Sequence, residues 1–256
     1  MLCHEHECVF VHIPKNAGQS IEHCFLGQLN LDWKRREKLL MRYNPRPELG
    51  PPRLAHLKAR EYVSCGYMTQ RQYDRYFSFA FVRNPWDRVV SFYKHLGFAN
   101  IVDFKTFALD ILPTRAWRQK YWFVGPQSEF ILDNSGRCLV DFVGRFENLQ
   151  EDFAQIAQRI DLPQKGLEHV NPSKAFQKTI SNWKLLCHHA MIRPRQVGRH
   201  AWRQAFGRIK NRKRQYEDYY DAETEEFVAS LYRDDIELFK YRFGSNEVAD
   251  VKLAVA

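Results

Sequence analysis

The sequence predicts an α/β fold, a parallel sheet covered by helices. Three observations predict it. Compact apolar runs occur at 8–13, 77–82 and 139–144. Each is followed by a stretch with helical spacing of apolar residues, over 18–28, 85–97 and 147–161. Between them lie short turns rather than long loops. Strand-loop-helix units in series argue for parallel strands joined by helical crossovers. Ligands of such sheets sit at the carboxyl ends of the strands.

The first unit runs from Cys8-Val9-Phe10-Val11 through His12-Ile13-Pro14-Lys15-Asn16-Ala17-Gly18-Gln19-Ser20 into Ile21-Glu22-His23-Cys24-Phe25-Leu26. It reads as a buried strand, a tight loop and the first turns of a helix. Such a loop aims several backbone N–H groups at one spot. The helix adds its positive end and Lys15 a full charge, a setting for phosphate or sulfate. Gly18 lets backbone approach an anion, Ser20 can donate a hydroxyl, and Pro14 stiffens the entry. The Walker pattern places its Lys after the second Gly. Here Lys15 precedes the loop's single Gly, and no Walker loop occurs elsewhere. A plain strand-to-helix turn with a chance lysine is the competing reading.

The second unit is Phe77-Ser78-Phe79-Ala80-Phe81-Val82, then Arg83-Asn84-Pro85-Trp86-Asp87-Arg88-Val89-Val90-Ser91-Phe92-Tyr93. Asn84 can cap a helix and Pro85 suits its first turn. Val89, Val90, Phe92, Tyr93 and Leu96 form its apolar face. Arg83 stands at the strand end with Ser91 about two turns on, so one ligand can meet a guanidinium fork and a hydroxyl. A surface Arg and an ordinary helix Ser are the alternative. The third unit is Val140-Asp141-Phe142-Val143-Gly144-Arg145-Phe146-Glu147-Asn148-Leu149.

Together the first two strand ends resemble the sulfotransferases that use 3′-phosphoadenosine 5′-phosphosulfate (PAPS). The nearest likeness is to the carbohydrate-type, family 2-like branch, with its loop of the form H-I-P-K-x-A-G-x-S. The resemblance implies a three-layer α/β sandwich with a central parallel sheet, related to P-loop nucleotide-binding proteins. It also implies that Lys15, Asn16, Ala17, Gly18, Gln19 and Ser20 grip the 5′-phosphosulfate, and that Arg83 and Ser91 grip the 3′-phosphate. Asn16 and Gln19 stand where the family commonly has Thr, and both keep hydrogen-bonding side chains. His169-Val170-Asn171-Pro172-Ser173-Lys174 is similar to a loop that closes over the nucleotide, which implies Ser173 and Lys174 as further donor contacts. Tyr219-Tyr220-Asp221-Ala222-Glu223-Thr224 opens a C-terminal helix of the family's type, ending near Leu238-Phe239-Lys240-Tyr241. The fit is poorest between 179 and 214, where a basic insertion is expected within a single domain of residues 1–256.

The reaction implied moves a sulfuryl group from PAPS to a hydroxyl or amine, leaving PAP. Its geometry parallels in-line phosphoryl transfer. Lys15 and the loop N–H groups are placed to neutralise charge on the leaving 5′-phosphate, so no metal is required. The acceptor needs a base. His56, in Leu54-Ala55-His56-Leu57-Lys58-Ala59-Arg60-Glu61-Tyr62, lies between the two motifs much as a catalytic His does in several glycan sulfotransferases, and imidazole titrates in the useful range. Local packing is the alternative, with Glu61 as substitute. His12 is expected to shape the loop. Gln127, beside Ser128 in Gly125-Pro126-Gln127-Ser128-Glu129-Phe130, is expected on the acceptor side, and Arg145 toward the nucleotide or the acceptor, although an Arg145–Glu147 structural pair explains Arg145 equally well.

Of 256 residues, 45% are hydrophobic and 14% aromatic, enough for a full core. The formal net charge of +9 steers anionic ligands but names no partner. A basic stretch at 193–214, including Arg195, Arg199, Arg203, Arg208, Lys210 and Arg212, reads as a solvated helix or a strip for an acidic acceptor. RNA is not expected, because no recognition-module signature accompanies it. No stretch is long and apolar enough to span a bilayer, and the N-terminus lacks a signal peptide's apolar region. A cytoplasmic protein is therefore expected, or a Golgi-lumen one if the chain is a trimmed piece of a longer anchored protein. The six cysteines form no C-x-x-C pair. Cys3-His4-Glu5-His6-Glu7-Cys8 could bind a metal, but a frayed terminus is the better expectation. A nucleotide kinase with a degenerate phosphate loop and a non-catalytic acidic-glycan binder are the other function classes. The acceptor itself, whether polysaccharide, glycolipid, metabolite or peptide tyrosine, is not written in the sequence.

Overall fold

The computed structural model describes residues 1–163, 166–167 and 215–245. Its sheet has the strand order β1-β2-β3-β4: β1 (Leu2–Cys3), β2 (Cys8–Val11), β3 (Phe77–Val82) and β4 (Phe142–Arg145). β2, β3 and β4 are parallel, and β1 runs antiparallel along β2. The helices that matter for the site are α1 (Gly18–Gln28), α2 (Pro85–His95), α3 (Ser128–Ile131), α4 (Leu149–Arg159), α5 (Ala222–Leu231) and α6 (Arg233–Phe239).

Alternation along each strand sorts its side chains onto two faces. Val9, Val11, Ala80 and Val82 join Val89, Val90 and Phe92 of α2 and Val228 of α5 in one core. Phe10, Phe79 and Phe81 join Ile21 and Phe25 of α1 and Phe153 and Ile156 of α4 in a second. Two cores on opposite faces of a mostly parallel sheet make a three-layer α/β sandwich, as expected. β4 lies close on β3 because position 144 is glycine: a β-carbon there would run into the Phe81 ring.

Four boundaries differ from the sequence reading. The N-terminus is not frayed. Met1 is fully buried and its α-amino group donates to the Phe10 carbonyl and the Tyr62 hydroxyl, both at 2.7 Å. Burial pushes that amine down to about 5. The metal-ligand candidates beside it diverge: His4 bonds the Tyr76 hydroxyl, His6 the Ile160 carbonyl, while Cys3 and Cys8 face each other across the ladder. The first strand stops at Val11, where Ile13 N–H turns back to the Val11 carbonyl. The third strand starts at Phe142 rather than 139. Leu139 N–H is taken by Ile131, and Asp141 must first cap Ser78, accepting from its N–H and hydroxyl at 2.7 Å. The C-terminal helix is two helices, broken at Tyr232. The other helices match closely, α2 ending before Gly97 at φ +81° and α4 beginning after a 3₁₀ turn.

Among the described residues, no helix is long and apolar enough to cross a membrane, and no group of metal-ligating side chains converges. Ser173, Lys174 and the basic stretch at 193–214 lie outside the described residues.

Candidate active site

Adjacent strands with register pairs Val11↔Ala80 and Val82↔Arg145 must end side by side, so the loops after them meet. The loop after β2 is unusual in its backbone. Lys15 has φ +73° and Ala17 φ +63°, both left-handed and both non-glycine. Alternating handedness of this kind turns successive N–H groups inward into an anion-binding concavity. Ala17 is the N-cap of α1 and offers no side-chain bond, so the helix start is left uncapped. Asn16 is buried instead, donating through Nδ2 to the Phe81 carbonyl at 2.7 Å and to Gln127 Oε1 at 2.8 Å. Its Oδ1 is buried with no acceptor bond made.

Lys15 has no carboxylate partner among the described residues. Burial, with Arg83 adding to it, pushes its ammonium down to about 8. Gly18 is needed for a steric reason, because a β-carbon there would lie inside the His12 imidazole. His12 Nδ1 in turn sits 2.6 Å from Glu22 Oε1 on α1. Ser20 is half-buried in the first helical turn and Gln19 is exposed.

The loop after β3 is built differently. Asn84 Oδ1 accepts from Trp86 N–H at 3.1 Å and Pro85 occupies the first turn, so α2 is capped by its own sequence. Arg83 lies over the Phe146 ring, 4.0 Å from its centroid. Its Nε and Nη2 donate to Asp87 Oδ2 at 2.9 and 2.7 Å, and Nη1 donates to the Lys15 carbonyl at 3.0 Å. Ser91 follows Asp87 by one helical turn on the same side of α2 and is partly exposed.

His56 ends a 3₁₀ turn, Leu54–His56, and is buried. Its Nδ1 donates to the His12 carbonyl at 2.9 Å, which leaves Nε2 as the basic nitrogen. Its ring stands 4.4 Å from that of His12 and 5.6 Å from that of Trp122, centroid to centroid. Burial first, then the neighbouring His12, push its pKa well below the ordinary imidazole value. The neutral imidazole is thus the resting form, with one lone pair to offer a proton.

The sequence profile of the Sulfotransferase family matches residues 1–242. The chain belongs to that family. An uncharacterised protein of Archaeoglobus fulgidus is 34% identical over 101 residues, 38% of this chain and 77% of its own. In this sulfotransferase the loop residues 15–20, Arg83 and His56 are gathered at neighbouring strand ends. Three other expected residues are engaged elsewhere. Gln127 is fully buried: Oε1 accepts from Asn16 and from Arg83 N–H at 2.9 Å, and Nε2 donates to the Arg83 carbonyl at 2.8 Å. It fastens the two strand-end loops to each other. Arg145 is buried too, donating to the Phe239 carbonyl at 2.7 Å beside the Tyr241 ring. Its anticipated partner Glu147 instead accepts from Asn84 N–H and the Tyr241 hydroxyl. Glu61 accepts from Lys58 N–H at 2.7 Å, capping its own turn.

Sequence reasoning missed the residues that hold this sulfotransferase site from behind. Arg88, 1% exposed, donates to the Pro14, Gly125 and Phe123 carbonyls. Its signal was visible as a lone cation inside the apolar stripe of α2. Burial lowers its pKa to about 10, so it stays charged. Asp235 of α6 is fully buried and accepts from Gln127 N–H at 2.7 Å and Ser128 N–H at 2.8 Å, capping α3. Burial raises its carboxyl despite those bonds and Arg88. No local pattern announces it.

Proposed function

We propose that the protein transfers a sulfuryl group from PAPS to a hydroxyl or amine of an acceptor, a carbohydrate in the favoured reading. One observation carries this most: an uncapped helix start, a left-handed loop and a lysine with no carboxylate partner among the described residues converge at one strand end, and the next strand end presents an arginine. Those donors suit the 5′-phosphosulfate at residues 15–20 and the 3′-phosphate at Arg83 and Ser91. The donor supplies an activated sulfuryl group. The chain's own part is to hold the leaving phosphate's charge with Lys15 and the loop N–H groups and to take the acceptor's proton at His56 Nε2. Arg83 would exchange part of its bond with Asp87 for the phosphate. No metal is needed for these roles.

A carbohydrate or other polar acceptor is favoured by what surrounds His56. Trp122 lies beside it, and Arg53, the residue that precedes the same 3₁₀ turn, acts on it electrostatically. Arg53 and Lys120 act on each other, and neither has a carboxylate partner among the described residues. The test is a thermal-shift panel of PAP, ATP–Mg²⁺ and heparin, followed by acceptor screening with labelled PAPS. Stabilisation by PAP and label transfer that depends on Lys15 are expected. Stabilisation by ATP–Mg²⁺ alone would replace the proposal with a phosphotransferase, and by heparin alone with a glycan binder.

A further inference from the structure

We propose that Glu22 and His12 form a buried ion pair whose cation keeps His56 unprotonated and seats the anion loop. The inference rests on the reading of His56 as the base. Neither residue of the pair touches reacting atoms, so both are positioning residues.

Four contacts carry it. His12 Nδ1 and Glu22 Oε1 are 2.6 Å apart with both side chains buried, a separation typical of a charge-assisted bond. Phe10 stacks on the His12 ring at 5.4 Å and 12°, which fixes its plane. The far edge of that ring fills the space over Gly18, so the loop rests on it. The His56 ring stands 4.4 Å away and its Nδ1 is held by the His12 carbonyl. One imidazole therefore touches the loop, the base and the first helix.

The electrostatics follow from that placement. A second positive charge on His56 next to a charged His12 is disfavoured, most strongly where water is excluded. Burial opposes ionisation of Glu22, but the charge and hydrogen bond of His12 outweigh it and hold the carboxyl below its ordinary range. The other groups facing Glu22 are the Met1 amine just before β1, His23 on its own helix, and Tyr62. Those facing His56 are His12, Arg53 and the Met1 amine. Removing the Glu22 charge takes away the anion that pairs with the His12 ring. The share of the penalty on His56 that comes from His12 is then lost while the larger share from burial stays, so its pKa rises and the acid limb of the transfer rate moves to higher pH.

The experiment is NMR of the whole chain with ¹⁵N-labelled histidine and saturating PAP between pH 6 and 8. In the wild type, His12 should carry protons on both ring nitrogens while His56 stays neutral with its proton on Nδ1. In Glu22→Gln, His12 should be neutral, and the midpoint of His56 and the acid limb of label transfer should both rise by about one pH unit. A neutral His12 in the wild type overturns the proposal, and that spectrum decides even if the variant does not fold. A slower Glu22→Gln enzyme with an unmoved acid limb also overturns it, because a merely structural role predicts that result. A charged His12 with no label transfer to any acceptor would instead strike the sulfotransferase reading and leave the pair standing.

Discussion

The two strand ends that make the site are assembled on opposite principles. The end of β2 is left unsatisfied: α1 has no side-chain cap, Lys15 has no carboxylate partner among the described residues, and two non-glycine residues hold left-handed backbone. The end of β3 is satisfied from within: Asn84 caps α2, and Arg83 is paired with Asp87. Left-handed backbone at non-glycine residues costs about 1–2 kcal/mol each, so the β2 loop persists only because its surroundings determine it. The difference teaches a division of labour. On the proposed function the first end offers Lys15 and an uncapped helix start to an anion, and the second is a finished scaffold on which that end leans through Arg83, Arg88, Asn16 and Gln127.

If that division is right, Lys15→Ala should have the largest effect, lowering label transfer by about 10²–10³-fold with the fold intact. Wild-type turnover in the folded variant would erase the contrast. His56→Ala should come next, slowing transfer by about 10²-fold while PAP affinity by calorimetry stays put. An unchanged pH–rate profile would move the base elsewhere.

Gln127→Ala tests the bridge between the ends rather than either one. It removes the acceptor of one Asn16 Nδ2 hydrogen and of the Arg83 N–H in a buried setting, so unfolding in urea should show a loss of about 2–3 kcal/mol, and PAP affinity should fall with it. Arg83→Ala should be milder, weakening PAP by about tenfold, because in the free protein its fork is already spent on Asp87. Equal losses from Lys15→Ala and Arg83→Ala would mean that the two ends are equivalent.

The smallest effect is also the most specific. Lys15 sits at about 8 in the free protein, and a bound anion must raise it. Donor binding above pH 8 therefore takes up a proton, and PAP affinity declines as pH rises through that value. Calorimetry in buffers of different ionisation enthalpy should register uptake near pH 8.5 and none in Lys15→Ala. Proton release would reverse the sign and refute the assignment.

Much of this architecture was legible before any coordinates. The apolar runs at 8–13, of which the strand keeps only Cys8–Val11, and 77–82, the helix starts at Gly18 and Pro85, and the cations at Lys15 and Arg83 are local patterns, because strand and helix periods and turn residues act over a few positions. Where reading failed, a distant partner had intervened. The terminus looked frayed because nothing nearby in sequence hints that Met1 reaches Phe10 and Tyr62. The third strand was drawn too early because its first residues pair with Ile131 and Ser78 instead.

The sequence alone thus determined the strand-loop-helix units and the placing of Lys15 and Arg83 just beyond neighbouring strand ends. Only the tertiary structure decided that Gln127 would brace the two strand-end loops, that Asp235 would hold it from 108 residues away, and that Arg145 would be buried against the Phe239 carbonyl. The physical reason is burial. A polar side chain removed from water must find its partners wherever the chain brings them, and those partners are set by topology, not by neighbouring letters.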